Sequence, residues 1–306
     1  MELTGLHILL TYICNYECDH CFVWGSPWQN GTFSMAQLDK VFKQAKEVGA
    51  IEEIYFEGGE AFLFYPILVE AVRRAKKMGF STGIVTNGYW ATGGEDAWIW
   101  LRPLAAAGLD RLEISCDLYH GDETANGQPH PGIKAAQELF IDTGTIAVEP
   151  PTGMRDPDES EPGLPLAGGG VMYRGRAAAA LTNDQPLQPW HSFSSCPYED
   201  LADPGRIHLD PFGNLHLCQG IVIGNMFEKP LKEILANYDP MADPIVGPLL
   251  EGGPTELTNR LGIEHTDGYI DACHLCYTAR EAVRNQHPAA LTPDQVYGVY
   301  GDLSES

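Results

Sequence analysis

Residues 6–21 have the sequence LHILLTYICNYECDHC, an apolar run followed at once by three cysteines. The run suits a buried strand, and Cys14, Cys18 and Cys21 follow in a loop at its carboxyl end. Three thiolates at this spacing can each bind one iron of a [4Fe–4S] cube, which leaves the fourth iron without a local protein ligand. The alternatives are chance and a zinc site, for which His20 would be the natural fourth ligand but adjoins Cys21.

Strand-like and helix-like segments alternate through the first half of the chain. Apolar runs bounded by turn residues predict five strands, at 6–12, 51–56, 80–86, 109–116 and 145–149. Amphipathic segments between them predict four helices, at 34–48, 66–78, 95–107 and 132–142. Buried strands that alternate with helices indicate a parallel sheet. We therefore expect an α/β fold, a partial (β/α) barrel of about five to six parallel strands, with any sixth strand compressed into residues 171–173.

Polar segments follow the second, third and fourth predicted strands. They are Glu57-Gly58-Gly59-Glu60, Thr86-Asn87-Gly88 and Ser115-Cys116-Asp117. Because functional residues of such folds lie at the carboxyl ends of strands, we expect these segments to converge with the cysteine loop on one barrel mouth. Paired glycines allow close approach of the backbone to a ligand, and Glu60 can accept hydrogen bonds from a cationic amine. Together the segments predict a binding site.

A different organisation begins near residue 186. Two short apolar segments, 207–210 and 215–218, flank the turn sequence PFGN, which is typical of a β-hairpin. Helices are predicted at 230–238 and directly after the C-x-x-C pair at 273–276, through about residue 285. Residues 150–170 are rich in Pro and Gly and predict a loop or a linker. We divide the chain into a barrel, residues 1–185, and a small α+β unit, residues 186–306.

Composition narrows the class of protein. Eight cysteines without a recognisable secretion signal favour metal ligation over disulfides. The formal net charge is −23, and so negative a surface repels phosphate backbones, which argues against a nucleic-acid partner. It could attract a basic substrate or serve only solubility. No apolar run approaches the ~20 residues needed to cross a bilayer, so we expect a cytoplasmic protein without a membrane partner.

With these motifs the chain resembles the radical S-adenosylmethionine (radical SAM) superfamily. The resemblance implies a catalytic [4Fe–4S] cluster, with SAM on its open iron, held by Cys14, Cys18 and Cys21. It implies that the Gly58–Glu60 motif binds the methionine amino group of SAM, although Ala61 stands where family members usually have proline. Further SAM contacts would come from His20, Asn87, Ser115 and Asp117. In this family an electron, from a donor such as flavodoxin or ferredoxin, cleaves SAM to a 5′-deoxyadenosyl radical that abstracts hydrogen from the substrate.

The remaining cysteines resemble the cluster-binding extension called SPASM or, in its shorter form, twitch. The resemblance is carried by Gly213-x-x-x-x-Cys218 on a hairpin, with one cysteine before it and a single C-x-x-C after it. It implies one auxiliary [4Fe–4S] cluster, held by Cys196, Cys218, Cys273 and Cys276. Four thiolates would close this cluster and make it an electron conduit. The spacing also permits a Cys₄ zinc ribbon. Cys116 is left over and is interpreted as a small buried thiol, the alternative being a contact with SAM or substrate.

The sequence does not assign the catalytic acid, the catalytic base or the hydrogen donor to any residue. His120 lies just past the fourth strand and could face the substrate, or could be an ordinary loop histidine. Glu149 ends the fifth strand, where it could accept a proton or be a solvated carboxylate. Arg176 belongs to a Gly-Arg-Ala segment that recurs in SPASM and twitch enzymes. Its side chain could lie near SAM or form an ion pair at the start of a helix.

The predicted function is oxidative modification of a small molecule or a peptide side chain, by dehydrogenation, crosslinking or epimerisation. The cysteine motif begins at residue 14, without a leader-binding domain before it, which favours a small molecule. The acidic surface favours a basic peptide. The alternative from another class is a non-catalytic iron–sulfur electron carrier or cluster scaffold, which would need no SAM pocket at Gly58–Glu60.

Overall fold

The strand before the cysteine loop, β1 (Gly5–Thr11), lies inside the sheet of the computed structural model, which describes residues 1–120, 130–151 and 168–300. All of its residues are buried. Its neighbours β2 (Glu53–Gly58) and β8 (Arg206–Leu209) both run parallel to it. A strand covered on both faces is mostly apolar, which explains the hydrophobic run that the sequence shows here.

The described residues contain one large sheet of nine strands, in the order β10-β9-β8-β1-β2-β3-β4-β5-β6. Every neighbouring pair from β8 to β6 is parallel, whereas β9 is antiparallel to both of its neighbours, β8 and β10. This confirms the predicted α/β fold with a partial barrel of parallel strands. The further strands of this sheet are β3 (Ser81–Thr86), β4 (Arg111–Ser115), β5 (Asp142–Val148), β6 (Gly168–Gly169), β9 (Asn214–Cys218) and β10 (Ile221–Asn225).

Helices cover one face of the barrel sheet. They are α1 (Met35–Val48), α2 (Tyr65–Lys77), α3 (Gly94–Ala107) and α4 (Pro131–Glu138). Ser34 begins α1 with a capping box, in which its hydroxyl accepts from the Gln37 N–H and the Gln37 side chain accepts from the Ser34 N–H. Phe42 of α1 meets Phe56 of β2, with ring centroids 6.3 Å apart. The even-numbered side chains of β2 therefore face the helices, and the odd-numbered ones face the opposite, inner side of the sheet.

The fourth helix is shorter than predicted. The sequence pattern predicts a helix over 132–142, but α4 ends at Glu138 and β5 already begins at Asp142. Phe140 adopts a left-handed conformation, with φ at 59°, and its side chain is exposed. A single left-handed residue ends a helix because the backbone can no longer continue the i to i−4 hydrogen bonds.

The sixth strand lies slightly before its predicted position. Gly168–Gly169 pairs with the end of β5, whereas the sequence predicts a strand at 171–173. Val171 and Tyr173 are buried in a small cluster with Ala177 and Ile270 instead. Most of the Pro- and Gly-rich segment 150–170, predicted as a loop or linker, lies outside the described residues.

The C-terminal part continues the barrel sheet. The predicted hairpin is present as β8 and β9, and β8 pairs with β1. The sequence reasoning missed β10 and the kinked helix α7, and it placed the C-x-x-C pair before a helix that in fact begins at Ala272 and contains both cysteines. The division at residue 185 stays a prediction. The elements of this part are α5 (Ala177–Ala180), β7 (Gln188–Pro189), α6 (Leu231–Asn237), α7 (Val246–Arg260), β11 (Gly268–Tyr269) and α8 (Ala272–Val283).

Short 3₁₀ turns connect the larger elements, at Ala61–Phe64, Leu118–His120, Trp190–Ser192, Arg284–Gln286 and Asp294–Tyr297. None of the helices that the structure describes combines the length and apolar character that crossing a membrane requires.

Candidate functional site

The three cysteines of the first motif lie on an irregular loop at the carboxyl end of β1. Backbone N–H groups point at two of the sulfurs, from Tyr16 to Cys14 Sγ (3.4 Å) and from Gly25 to Cys21 Sγ (3.1 Å). The side-chain amide of Asn87 also lies 3.7 Å from Cys14 Sγ. Such donors stabilise negative charge on sulfur, whether as a thiolate or as a cluster ligand.

Cys14 is buried, Cys18 and Cys21 are half-buried, and the three thiols lie near one another. Burial raises the pKa of Cys14 and of Cys18 to about 12, and the charge of Cys21 contributes to both shifts. A methyl group placed on Gly25 would lie 3.3 Å from Cys14 Cβ and 3.5 Å from Cys21 Sγ, so the loop folds tightly around the sulfurs. A bound metal deprotonates a thiol outright. Three sulfurs on one tight loop, two of them with N–H donors, thus form a donor set that fits an iron–sulfur cluster.

The paired glycines join β2 to the cysteine loop. The N–H of Gly59 donates to the Thr11 carbonyl (2.7 Å), and the N–H of Glu60 donates to the Ile13 carbonyl (2.9 Å). A side chain on Gly58 or Gly59 would overlap those same carbonyl oxygens. The sequence predicts that these glycines let the backbone approach a ligand closely. The structure shows that they allow two backbone segments of the protein to approach each other closely.

Glu60 connects three strand ends. Its carboxylate is buried and accepts hydrogen bonds from the Phe62 N–H (2.9 Å), the Thr86 hydroxyl (2.9 Å) and the Asn87 N–H (2.7 Å). Burial nevertheless raises the pKa of Glu60 to about 7. A cationic group beside this carboxylate would lower its pKa again and be bound in return. Asn87 completes the link to the loop, since its amide donates to Asn15 Oδ1 at 2.9 Å.

Asp117 and two histidines form the side of the site next to Cys18. His120 Nδ1 lies 2.7 Å from Asp117 Oδ1, and His120 Nε2 lies 3.6 Å from Cys18 Sγ. Burial alone would raise the pKa of Asp117, but hydrogen bonds from His120 and the Val148 N–H hold it below its usual value. Burial lowers the pKa of His20 to about 4, so this ring is neutral near pH 7. The structure therefore brings His20, Asp117 and His120 together at the cysteine loop.

Arg176 holds the loop in place from the other side. Its guanidinium donates to the carbonyls of Cys18 and Gly25, at 2.7 Å each, and lies 5.2 Å from the Trp24 ring. The backbone N–H of Arg176 also donates to the Cys21 carbonyl (2.9 Å). Through these bonds Arg176 positions the cysteine loop, whereas the sequence indicated either a place near SAM or an ion pair at a helix start.

The remaining sequence candidates lie at strand ends with fewer contacts. Ser115 is half-buried at the end of β4 and pairs with Ile146 of β5. Glu149 follows β5, and its side chain is exposed to solvent, the arrangement expected of a solvated carboxylate. Cys116 is half-buried and packs against the main core. This environment resembles that of the small buried thiol predicted from the sequence.

A model of the radical SAM superfamily matches residues 8–124, which include the three cysteines, the glycine pair, Glu60 and Asp117. Over these residues the chain is similar to the radical SAM superfamily. Members of this superfamily use a [4Fe–4S] cluster and SAM, and the donor set at residues 14–21 fits such a cluster.

Curated relatives match less than half of this chain. A probable GTP 3′,8-cyclase from Saccharolobus islandicus is 36% identical over 158 residues, which cover 48% of this chain and 46% of the relative. A putative peptide biosynthesis protein, YydG of Bacillus subtilis, is 27% identical over 107 residues, 35% of this chain and 34% of the relative. This chain thus spans about half the length or less of these curated relatives.

Solved structures match more of the chain, at low identity. BtrN, crystallised with AdoMet and 2-DOIA, has a TM-score of 0.50 and 16% identity and covers 77% of this chain and 82% of its own. SuiB of Streptococcus suis, bound to the precursor peptide SuiA, has a TM-score of 0.50 and 14% identity and covers 89% and 76%. These likenesses show the fold.

The four other cysteines predicted to bind a metal line one cavity. Cys196 comes from a loop, Cys218 from the end of β9, and Cys273 and Cys276 from α8, and all four border the same space. Burial raises the pKa of Cys196 to about 12, and it raises the pKa values of Cys273 and Cys276 as well. The structure thus brings together four sulfurs that lie up to 80 residues apart in the chain.

Two arginines border this cavity with the cysteines. Arg174 Nη1 lies 3.1 Å from Cys218 Sγ and 2.9 Å from Glu199 Oε1. Burial opposes the positive charge, but Cys218 and Glu199 hold the pKa of Arg174 well above its usual value. Arg280 is almost fully buried and donates to the Gln219 carbonyl (2.9 Å). The cavity therefore holds fixed positive charge beside sulfur.

Sequence reasoning missed Arg280 and Glu199. A signal for Arg280 exists in the sequence, because it lies four residues after Cys276 and such spacing puts two side chains on one side of a helix. No local pattern indicates Glu199, whose partner Arg174 lies 25 residues away.

Proposed function

We propose that this chain is a radical SAM enzyme that oxidises a small molecule or a peptide side chain, by dehydrogenation or crosslinking. The observation that carries the proposal is the pair of cysteine sites, three thiols at the barrel mouth and four around one cavity. Three thiols leave one iron of a cluster free for SAM, and four close an auxiliary cluster that can only accept or pass electrons. Epimerisation is redox-neutral overall, so it has less use for the second site.

The chain's own residues would hold and orient the cofactors. The first cluster would be held by Cys14, Cys18 and Cys21. When bound, this cluster and SAM supply a 5′-deoxyadenosyl radical that abstracts a hydrogen atom from the substrate. Glu60 would bind the positively charged amino group of SAM, because a neighbouring cation would stabilise the charged form of this buried carboxylate. Asn87 fixes Glu60 relative to Cys14, and Arg176 fixes the loop that carries Cys18.

A contact between the two sites supports electron transfer from one to the other. Trp24, three residues after Cys21, donates its indole N–H to the hydroxyl of Tyr277, which adjoins Cys276 (2.9 Å). The auxiliary cluster would be held by Cys196, Cys218, Cys273 and Cys276. An electron donor of the flavodoxin or ferredoxin type would reduce the first cluster, in the cytoplasm, where exposed thiols stay reduced.

Similarity to other proteins supports two substrate classes, a small molecule and a peptide. A GTP cyclase relative favours a small molecule, whereas YydG and SuiB favour a peptide. The competing function, a non-catalytic electron carrier, is disfavoured by the Glu60 network at the barrel mouth, because a carrier has no need of a buried carboxylate beside its cluster.

Anaerobic reconstitution tests the proposal. The protein is loaded with iron and sulfide, reduced with dithionite and incubated with SAM. We expect about 8 iron per chain, a change in the electron paramagnetic resonance spectrum when SAM is added, and formation of 5′-deoxyadenosine by liquid chromatography. Iron without either SAM effect would make the chain a carrier and overturn the proposal.

A further inference from the structure

Three polar side chains that belong to neither cysteine site meet on the inner face of the barrel sheet. They come from adjacent strands, His208 from β8, His7 from β1 and Glu57 from β2. His7 and His208 are direct partners in the β1–β8 register, and Glu57 is the partner of Leu9. Because side chains alternate along a strand, His7 and Glu57 share the face that the helices leave uncovered. Stacking of His7 on Tyr55, at 4.9 Å between centroids, confirms that face.

The three side chains are close enough to share one ion. Glu57 Oε1 lies 3.0 Å from His208 Nε2, and Glu57 Oε2 lies 3.4 Å from His7 Nδ1. One ligand atom from each residue can be chosen so that all lie within 4.8 Å of one another. Donors bound to one zinc ion at 2.0–2.2 Å lie roughly 3.4 Å apart in a tetrahedron, so only small shifts are needed.

Their polar atoms lack other partners. His7 Nε2 and His208 Nδ1 are buried and have no hydrogen-bond partner among the described residues, and the contacts of Glu57 with the two rings fall short of hydrogen-bond geometry. The side chains of His7 and His208 are about nine-tenths buried. Native proteins rarely leave buried polar atoms unsatisfied, because such an atom has lost its hydrogen bonds to water without a replacement. A cation between the two rings and the carboxylate would supply a replacement at several atoms at once.

We propose that His7, Glu57 and His208 bind a divalent first-row transition-metal ion such as Zn²⁺. Two imidazoles and a carboxylate are a common ligand set for such ions, and three protein ligands leave a position open for water or a substrate oxygen. Glu57 directly precedes the glycine pair, so the ion would lie on the barrel's inner face below the proposed SAM site. A second group with metal-ligand atoms, His20, Asp117 and His120, contacts Cys18 and belongs to the site already described.

The first experiment uses the full-length protein with iron in its cysteine sites. The reconstituted protein is incubated anaerobically with Zn²⁺, desalted through a weak chelator and analysed for metal. We expect about one zinc per chain, with nitrogen and oxygen neighbours and no sulfur in its X-ray absorption spectrum. No retained zinc, or zinc with sulfur neighbours, would overturn the site.

Single variants locate the ion. His7→Gln, Glu57→Gln and His208→Gln should each reduce zinc retention at least roughly tenfold, because each removes a ligand. Tyr55→Phe is the matched control, since it keeps the ring stacked on His7 and should keep the zinc. Unchanged iron content shows that a variant is folded. Undiminished zinc in any folded ligand variant would contradict the proposal, and if one variant does not fold, the other two and the wild-type spectrum decide.

Discussion

The two cysteine sites of this chain are built in opposite ways. The first uses three cysteines within eight residues on one loop, and the cation nearest to it, Arg176, binds backbone carbonyls. The second collects four cysteines from a loop, a strand end and a helix, and its cation Arg174 contacts a sulfur directly. A short loop can surround one face of a cluster and leave an iron open, whereas four positions around a cavity close it. The comparison suggests one site for chemistry and one for electrons.

Removal of the loop cysteines should have the largest effect. The variant Cys14→Ala/Cys18→Ala/Cys21→Ala should lose about 4 iron per chain and all 5′-deoxyadenosine formation, because SAM then has no iron to bind. Iron analysis and liquid chromatography after dithionite reduction measure both. Cys116→Ala is the control, and it should keep the full iron content. SAM cleavage by the triple variant would break the comparison.

Removal of the helical pair should separate the two roles. Cys273→Ala/Cys276→Ala should also lose about 4 iron, yet it should still form 5′-deoxyadenosine when dithionite supplies the electron. Once a substrate is known, oxidised product should disappear while SAM cleavage continues. If zinc rather than iron is lost from anaerobically purified protein, the second site is a zinc ribbon and the electron role is wrong.

Two arginines that lie two residues apart sharpen the contrast further. Arg174→Gln removes a positive charge beside Cys218, and should lower the reduction potential of the auxiliary cluster on the order of 100 mV, because the more negative reduced state loses a stabilising charge. Arg176→Gln should leave that potential unchanged and instead reduce iron occupancy at the first loop. Redox titration followed by electron paramagnetic resonance distinguishes them. Equal shifts in both variants would mean that the arginines do not act locally.

The smallest expected effect concerns the backbone that supports the first loop. Gly175 has φ at 61°, and a methyl group there would lie 2.5 Å from the Cys21 carbonyl oxygen. Gly175→Ala should therefore lower the free energy of unfolding by roughly 2–5 kcal/mol and weaken iron binding at the loop. Gly49→Ala is the matched control, since Gly49 has φ at 89° with nothing within 4 Å of the new methyl, and should cost about 1–2 kcal/mol.

Denaturant titration measures both glycine variants, and iron analysis shows which site responds. Loss of iron in the Gly49→Ala variant would mean that general instability, and not the loop contact, releases the cluster.

Periodicity and spacing predicted most of the barrel. The strands and helices up to β5 lie within a few residues of their predicted bounds, because each depends on local hydrophobic alternation and on capping residues such as Ser34. The main errors are the end of α4 and the position of β6. A left-handed residue determines where α4 ends, and a pairing of only two residues determines where β6 lies. No amphipathic pattern indicates such features.

The C-x₃-C-x₂-C loop was determined by the sequence alone, since three thiols so close in the chain must also lie close together in space. Only the tertiary structure joined β8 to β1, set Arg174 against Cys218 and brought His208 to His7, a residue 201 positions earlier. Contacts between remote residues depend on how whole elements pack, and this packing is settled by the summed burial of many side chains. Short-range spacing carries none of that information.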